Sequence, residues 1–292
     1  MQADTAVIGG SGFYQMEGLT DKEEAEIDTP FGPPSDKLLL GKLDGRRVAF
    51  LPRHGRGHPI PPSQLNARAN IYALKTLGVN AVFSFSAVGS LREDIPPAAF
   101  AIPDQLFDHT KRRQSSFFDE GMAAHVSMSE PFCPVLRRVL GEACADENET
   151  AHMGGTYICI EGPQFSTKAE SKLYRQWGMD IIGMTAATEA KLAREAEMCY
   201  AALAAVTDYD VWHPEHETVT AEMILKNLFR NVDAGKRVIR AALKRLPSER
   251  ECGCRSALGS AFATDPSAVS ASTKRRLRAL LQKYPAYAPD DS

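Results

Sequence analysis

TAVIGGSGFY, residues 5–14, opens the chain with an apolar run that leads directly into three glycines and a serine. The run predicts a buried strand over Thr5–Gly10, and the glycines predict a loop whose backbone can approach a ligand closely. A dinucleotide fingerprint would need a glycine where Gln15 stands, and a Walker-type loop would need a lysine that is absent. A tight turn and a site for one small anion both remain open.

The rest of the chain alternates between apolar or β-branched runs and longer amphipathic stretches. Strands are predicted at Thr5–Gly10, Lys37–Leu43, Val48–Pro52, Ala81–Ser86, Phe100–Ile102, Tyr157–Ile160, Asp180–Met184 and Tyr200–Val206. Helices are predicted at Ser63–Leu77, Pro134–Cys144, Thr167–Trp177, Ala187–Met198 and Ala221–Leu246. This alternation indicates an α/β fold on a largely parallel or mixed sheet.

Composition limits the class of protein. With 292 residues, 43% apolar and 24% charged, the chain suits a globular protein with one large domain, predicted over residues 1–246. Residues 247–292 differ in composition and are expected to form a C-terminal extension, packed on the domain or at a subunit contact. The net charge of −3 argues against nucleic-acid binding. No apolar run reaches the length of a membrane span, and no leader is recognised, so a cytoplasmic location is expected.

The six cysteines predict little chemistry from their spacing. Four stand singly among apolar residues and are interpreted as buried, inert thiols: Cys133, Cys144, Cys159 and Cys199. Cys252-Gly-Cys254 could clip together or bind a metal, but the sequence has no partner pair at the usual spacing of a zinc site. We therefore expect a local feature of the extension.

Two further strand ends carry cations and hydroxyl groups. Arg53 and His54 follow the predicted strand Val48–Pro52, and small hydroxyl residues with a glycine surround the predicted end of another strand at Ser86. Ligands of open α/β sheets bind beyond the carboxyl ends of strands, and arginine suits phosphate oxygens. A solvated basic loop would explain either stretch alone, whereas together with the glycine loop they predict a phosphate pocket.

Two carboxylates, Asp208 and Asp210, follow the predicted strand Tyr200–Val206. Such a pair can accept hydrogen bonds from an amino group or, when protonated, donate to a ring nitrogen. An Asp-rich turn is the alternative. A Mg²⁺ site is disfavoured, because the predicted phosphate loops already carry cations of their own.

The ordered set of these motifs resembles the methylthioadenosine phosphorylases within the trimeric purine nucleoside phosphorylase family. The matching blocks span about residues 3–246, and they are Ile8-Gly-Gly-Ser-Gly12, Asp28-Thr-Pro-Phe-Gly32, Ser35-Asp36, Arg53-His54-Gly55, Asn66 with Ala69-Asn70, Gly89-Ser-Leu-Arg92, Glu130-Pro-Phe-Cys133, Glu161-Gly-Pro-Gln-Phe165, Met184-Thr185 and Thr207-Asp-Tyr-Asp210. Each block is short, but the ordered set is highly specific.

The resemblance implies both a fold and a reaction. The fold would be a single α/β domain with a central mixed, twisted sheet flanked by helices, assembled as a homotrimer with shared sites. The reaction would be phosphorolysis of S-methyl-5′-thioadenosine to adenine and 5-methylthioribose 1-phosphate, in purine and methionine salvage. Phosphate would stabilise and trap an oxocarbenium-like transition state, so inorganic phosphate is a co-substrate, and neither cofactor nor metal is expected.

The resemblance also implies roles for individual residues. Phosphate would be bound by Ser11, Arg53, His54, Ser86, Ala87 and Thr185. The nucleoside would be contacted by Met184, Phe165, Ser166, Asp208, Asp210, Ala221, Ile224, Leu225 and, from a neighbouring subunit, His125. Asp210 would give the proton toward N7 of adenine, and Asp208 would accept from the 6-amino group. Ala221, Ile224 and Leu225 stand at i, i+3 and i+4 of a predicted helix, and plain core packing is the alternative role for them.

The two acids favour 6-aminopurines, because a carboxylate facing O6 of a 6-oxopurine would oppose acceptor to acceptor. A 6-oxopurine phosphorylase and a non-catalytic nucleotide-binding sensor are the alternative functions. Ala221 replaces the valine common in relatives and predicts a roomier 5′ pocket that tolerates 5′-deoxyadenosine or adenosine. Gly183 stands where an asparagine is expected in animal relatives.

Overall fold

Eleven strands among the described residues join into one mixed sheet. The computed structural model describes residues 2–10, 13, 16–213 and 221–289, and of residues 221–230 only the backbone. The strands are β1 Thr5–Gly9, β2 Thr20–Ala25, β3 Leu38–Leu43, β4 Arg46–Pro52, β5 Ala81–Ser90, β6 Phe100–Ile102, β7 Gln105–His109, β8 Ala151–Met153, β9 Thr156–Ile160, β10 Ile181–Gly183 and β11 Cys199–Asp208. The helices are α1 Ala67–Thr76, α2 Pro134–Asp146, α3 Lys168–Gln176, α4 Ala186–Glu195, α5 Ala221–Arg245, α6 Ala271–Arg276 and α7 Arg278–Leu281, with 3₁₀ turns at Pro62–Gln64, Gly253–Ser256 and Pro266–Ala268.

The sheet has the order β2-β3-β4-β1-β5-β10-β9-β7, and β11 joins it through β5 and β6, with β8 beside β6. β1 pairs in parallel with β4 and β5, and β11 pairs in parallel with β5. β10 runs antiparallel to β5. The prediction of a mixed sheet flanked by helices is therefore confirmed.

The strands that the sequence analysis missed lack an apolar signal or are short. Five of the six residues of β2 are exposed, β7 is mostly half-buried or exposed, and β8 has three residues. Period-2 patterning needs one buried face to be visible in a sequence, and these strands do not present one. The eight predicted strands and five predicted helices all form, with boundaries that shift by a few residues.

The prediction that a strand ends at Ser86 is wrong, because β5 continues to Ser90. β5 pairs with β1 only over Ala81–Ser84 and with β10 only at Gly89 and Ser90. Among the described residues, 85–88 are thus paired with β11 alone, and in this part of the chain the opposite edge of β5 is open between its two other neighbours. This gap lies where the direction of pairing changes, which is the kind of position where open sheets bind ligands.

The C-terminal extension shares the hydrophobic core. Leu258, Leu277 and Leu281 are fully buried in the cluster that also holds Ile8 of β1 and Leu74 of α1. Burial of apolar side chains provides the main favourable term of folding, so these leucines fix the extension against the sheet and α1. None of the described helices is long and apolar enough to cross a membrane.

Candidate active site

A cavity of about 620 Å³ opens at the gap in β5 and is called the central cavity below. It lies among the ends of β1 and β4, the open edge of β5, and the ends of β10 and β11. Ten of the predicted site residues line it: Arg53, His54, Ser86, Ala87, Phe165, Ser166, Met184, Thr185, Asp208 and Asp210. Residues separated by more than 150 positions in sequence therefore meet around one space.

Of the five remaining predicted residues, four fall outside what the structure describes and one is not part of the cavity lining. Ser11 lies outside the described residues, and so do the side chains of Ala221, Ile224 and Leu225 in α5. Val232 of the same helix does line the cavity. His125 is exposed and absent from the lining, and its backbone N–H donates to the carbonyl of Ala261 at 2.8 Å.

Arg53, which follows β4, is 1% exposed, and most of its guanidinium donors are already used. Nε donates to Glu189 Oε1 at 2.5 Å, and Nη2 contacts both Glu189 Oε2 and Ser84 Oγ. Nη1 donates to the carbonyl of Phe85 at 3.0 Å. A guanidinium has five N–H groups. These contacts use four of them, so one N–H of Nη1 remains. Arg53 lines the cavity with at most one N–H left for a ligand.

Glu189 is the residue that sequence reasoning missed in this region. It lies in α4 at 3% exposure, and besides Arg53 it accepts from Tyr200 Oη at 2.8 Å and Ser84 Oγ at 3.1 Å. The neighbouring residues of α4 are mostly alanines and leucine, so an acid on the buried face was a visible signal of a buried partner. Glu189 fixes the position of Arg53 and compensates its charge.

The N-terminus of α4 faces the cavity through Thr185, its N-cap residue. The Thr185 hydroxyl is buried and has no hydrogen-bond partner among the described residues, and it makes no cap contact. Helix N-termini favour anions because backbone N–H groups and the helix dipole point the same way. Thr185 and the open edge of β5 at Ser86 and Ala87 therefore form a set of neutral donors suited to one small anion.

His54 is neutral at physiological pH. Its Nδ1 lies 2.8 Å from the carbonyl oxygen of Ile60, and because a carbonyl can only accept, Nδ1 carries the hydrogen. Burial, and then the charge of Arg53, lowers its pKa to about 4. Nε2 is thus an acceptor, so His54 can contact the P–OH group of a protonated phosphate rather than acting as a cation.

Gly183 lies against the buried hydroxyl of Tyr157. A Cβ atom at position 183 would stand 1.9 Å from Tyr157 Oη, which excludes any larger residue while Tyr157 stays in place. Burial raises the pKa of Tyr157, and its hydroxyl has no partner among the described residues. The glycine found in place of asparagine is thereby explained: a tyrosine from β9 occupies the neighbouring space.

The two carboxylates at the end of β11 have different surroundings. A bulge between Val206 and Asp208 re-aims the strand, and Asp208 then accepts from Thr207 Oγ1 at 2.7 Å and from the Asp210 N–H at 2.8 Å. Burial raises the pKa of Asp208 to about 6. Asp210 has an Oδ2 without a partner among the described residues, and burial raises its pKa too.

Two serines lie beside Asp210, namely Ser166 and Ser171, and the second was not predicted. Their hydroxyls lower the pKa of Asp210, against the larger effect of burial. Neither serine hydroxyl forms a hydrogen bond with Asp210, since both lack a partner in the described structure. Buried polar groups normally have partners, so unpartnered oxygens on Ser166 and Asp210, both in the cavity lining, indicate a polar ligand here.

Residues 4–244 match the family model described as "Phosphorylase superfamily". The chain belongs to the phosphorylase superfamily. It is 54% identical to the S-methyl-5′-thioadenosine phosphorylase of Gloeobacter violaceus, over 99% of this chain and 98% of the relative. It is 52% identical to the protein of that name from Koribacter versatilis, over 97% of both chains.

Solved structures agree with this assignment at the level of the fold. A methylthioadenosine phosphorylase from an antarctic soil metagenomic library matches with a TM-score of 0.92 and 52% identity, over 96% of this chain and 99% of that one. The Schistosoma mansoni methylthioadenosine phosphorylase in complex with adenine matches with a TM-score of 0.82 and 33% identity, over 90% of this chain and 99% of that one. The single α/β domain with a central mixed sheet flanked by helices, which the resemblance implies, is thus confirmed.

Proposed function

We propose that this phosphorylase-superfamily chain cleaves S-methyl-5′-thioadenosine with inorganic phosphate, releasing adenine and 5-methylthioribose 1-phosphate. One observation carries the proposal: the central cavity combines neutral anion donors at Thr185 and the open edge of β5 with two buried, easily protonated carboxylates at the end of β11. The first set suits the attacking phosphate and the second suits a departing base. The full-length relatives with this activity in their names support the same reaction.

The phosphate end would position the nucleophile. Arg53 would contribute one N–H and Thr185 its hydroxyl, and Ser86, Ala87 and Ser11 would add further donors. His54 would accept a hydrogen bond from the P–OH group of phosphate through Nε2, which directs the unprotonated oxygens of phosphate toward C1′ of the ribose. The negative phosphate would stabilise positive charge that develops on the ribose in an oxocarbenium-like transition state.

The base end would supply the proton that the leaving adenine needs. Asp210, with its unpartnered Oδ2, would donate toward N7, and Asp208 would accept from the 6-amino group. Ser166 would lie close to the base, Phe165 would pack on the purine, and Met184 would lie against the ribose. Burial raises the pKa of both acids, and a donor with a pKa near the working pH is the most effective.

The 5′-methylthio group would lie toward α5, where Ala221, Ile224 and Leu225 would form an apolar patch, and a small Ala221 would leave room for 5′-deoxyadenosine or adenosine. We further propose a homotrimer in which His125 of a neighbouring subunit completes this end. Exposed apolar side chains on one chain, among them Phe107, Leu173 and Trp177, support an interface. Light scattering of the purified protein tests the trimer, and a monomeric mass in solution would contradict it.

The reaction is tested by adenine release from S-methyl-5′-thioadenosine with and without phosphate. We expect adenine only when phosphate is present, together with one equivalent of 5-methylthioribose 1-phosphate. Adenine without phosphate would indicate a hydrolase, and no adenine would favour a nucleotide-binding sensor. Inosine is the matched substrate control, and faster cleavage of inosine would overturn the assignment of the two acids and favour a 6-oxopurine phosphorylase.

A further inference from the structure

Four cysteines from three separate parts of the chain meet away from the central cavity. Cys133, Cys199, Cys252 and Cys254 have Sγ atoms that all lie within 4.8 Å of one another. Three of the side chains are buried, and Cys252 is half-buried. We call this set the four-cysteine cluster. None of its members lines the central cavity.

The fold supplies the partner pair that the sequence lacks. Cys133 is the N-cap residue of α2 and Cys199 is the first residue of β11. Cys254 lies in the 3₁₀ turn Gly253–Ser256 of the C-terminal extension, and Cys252 is the N-cap residue of that turn. Cys133 and Cys199 are buried as predicted, but they do not stand singly in the fold, and the prediction that Cys252-Gly-Cys254 is only a local feature is wrong, because the four sulfur atoms meet.

The spacing of the sulfur atoms suits a tetrahedral metal better than disulfides. Cys199 Sγ and Cys252 Sγ are 3.5 Å apart, and all four residues are free thiols. Four sulfurs at about 2.3 Å from a zinc ion stand roughly 3.8 Å from one another, whereas a disulfide needs about 2.05 Å. The cluster has the dimensions of the first arrangement.

Positive charge lies beside the cluster. The N-terminus of α2 adjoins Cys133, and helix N-termini stabilise thiolate charge. The positive charge of Arg194 also acts on Cys254. A tetrathiolate zinc site carries a net charge of −2, so a nearby cation and a helix N-terminus offset part of that charge.

We propose that the four-cysteine cluster binds one Zn²⁺ ion per chain and thereby attaches the C-terminal extension to β11 and α2. Each of the four thiols loses its proton to solvent when the ion binds, and no electron is transferred. Four protein sulfurs fill the tetrahedral shell and leave no position for water or substrate, which makes the site structural. Zinc selects this donor set because thiolate is among its preferred ligands.

Metal content and thiol counting test the proposal on the full chain. After purification from zinc-supplemented cells without chelator, elemental analysis is expected to give one zinc per chain. Unfolding in guanidinium with a chelator, and without reductant, should then expose all six thiols to a colorimetric thiol reagent. Two thiols and no zinc would indicate two disulfides in the cluster and overturn the proposal, and six thiols with no zinc would overturn it as well.

Variants identify the ligands. Cys252→Ser changes the half-buried member of the cluster and is expected to reduce zinc to less than about a tenth of an equivalent. Cys144→Ala is the matched control, because Cys144 is a buried cysteine of α2 outside the cluster, and it should keep one zinc. Chelation should lower the Tm of the wild type and of the control but not of Cys252→Ser. Equal zinc in both variants, or no effect of chelator on the wild type, would contradict the site.

Discussion

The two ends of the central cavity treat charge in opposite ways. At one end the cation Arg53 is buried, but Glu189 compensates it through two hydrogen bonds, and neutral donors face the ligand space. At the other end Asp208 and Asp210 are buried without any cation among their described contacts, and burial raises the pKa of each. The charge at the first end is compensated by an ion pair, whereas at the second end burial shifts both acids toward the protonated form.

This difference follows from what each end would do. A phosphate dianion brings its own charge, so the phosphate end needs donors whose positions are fixed, and a paired arginine supplies one. A leaving purine needs a proton, so the base end needs an acid whose pKa is raised toward neutral pH. Buried ion pairs contribute little net stability when intact, but are costly to break.

The largest expected effect is the loss of the proton donor at the base end. Asp210→Asn should lower kcat for S-methyl-5′-thioadenosine by about 10²–10⁴-fold, because an amide cannot give up a proton to N7. The KM for phosphate should change by less than about threefold, since the phosphate end is untouched. Steady-state kinetics with both substrates measure this. A larger loss of kcat for Asp208→Asn than for Asp210→Asn would exchange the two roles.

Breaking the pair at the phosphate end should mainly affect stability. Glu189→Ala leaves the buried guanidinium of Arg53 uncompensated and is expected to cost about 3–5 kcal/mol in the free energy of unfolding, measured by urea titration. Asp146→Asn is the control, because Arg245 and Asp146 form a pair of the same bidentate geometry on the surface, where ion pairs contribute little. Similar losses in both variants would contradict the importance of burial.

The base end should make stability depend on pH. The pKa of Asp208 is raised from 3.8 to about 6 in the folded chain, so this group binds a proton more tightly when folded. Its stabilising contribution is complete below pH 3.8 and is lost as the pH rises through about 6, a change of about 3 kcal/mol. Unfolding of the wild type and Asp208→Asn at pH 4 and pH 7 measures it. The wild type should lose stability relative to the variant, and parallel pH curves would refute the raised pKa.

The smallest expected effect concerns the hydroxyl behind the cavity wall. We expect Tyr157 to be a positioning residue, because its hydroxyl lies near Ser86 and the Thr185 backbone, which oppose the rise in its pKa that burial causes. Tyr157→Phe should raise the KM for phosphate about fivefold, equivalent to about 1 kcal/mol, and leave the KM for the nucleoside unchanged. Tyr174→Phe, a buried tyrosine outside the cavity lining, is the control. Equal effects of the two variants would exclude a specific role.

Several features of the cavity could be predicted because they are local. The glycine loop after β1, the arginine after β4 and the acids after β11 each follow a buried strand, and strand ends of such a sheet meet at one edge. The gap in β5 could not be predicted. Its residues continue one extended strand, and the gap exists only because β1 and β10 pair with different halves of it.

By itself the sequence determined the mixed α/β architecture, the family and the residues that follow each buried strand, because periodicity and short motifs are properties of neighbouring positions. Only the tertiary structure decided which distant side chains meet: Glu189 with Arg53, Tyr157 with Gly183, and Cys133 and Cys199 with the cysteine pair of the extension. Those contacts join residues that are 26 to 136 positions apart or lie in different elements. Sheet order and burial bring these residues together, and a pattern of neighbouring positions in the sequence predicts neither.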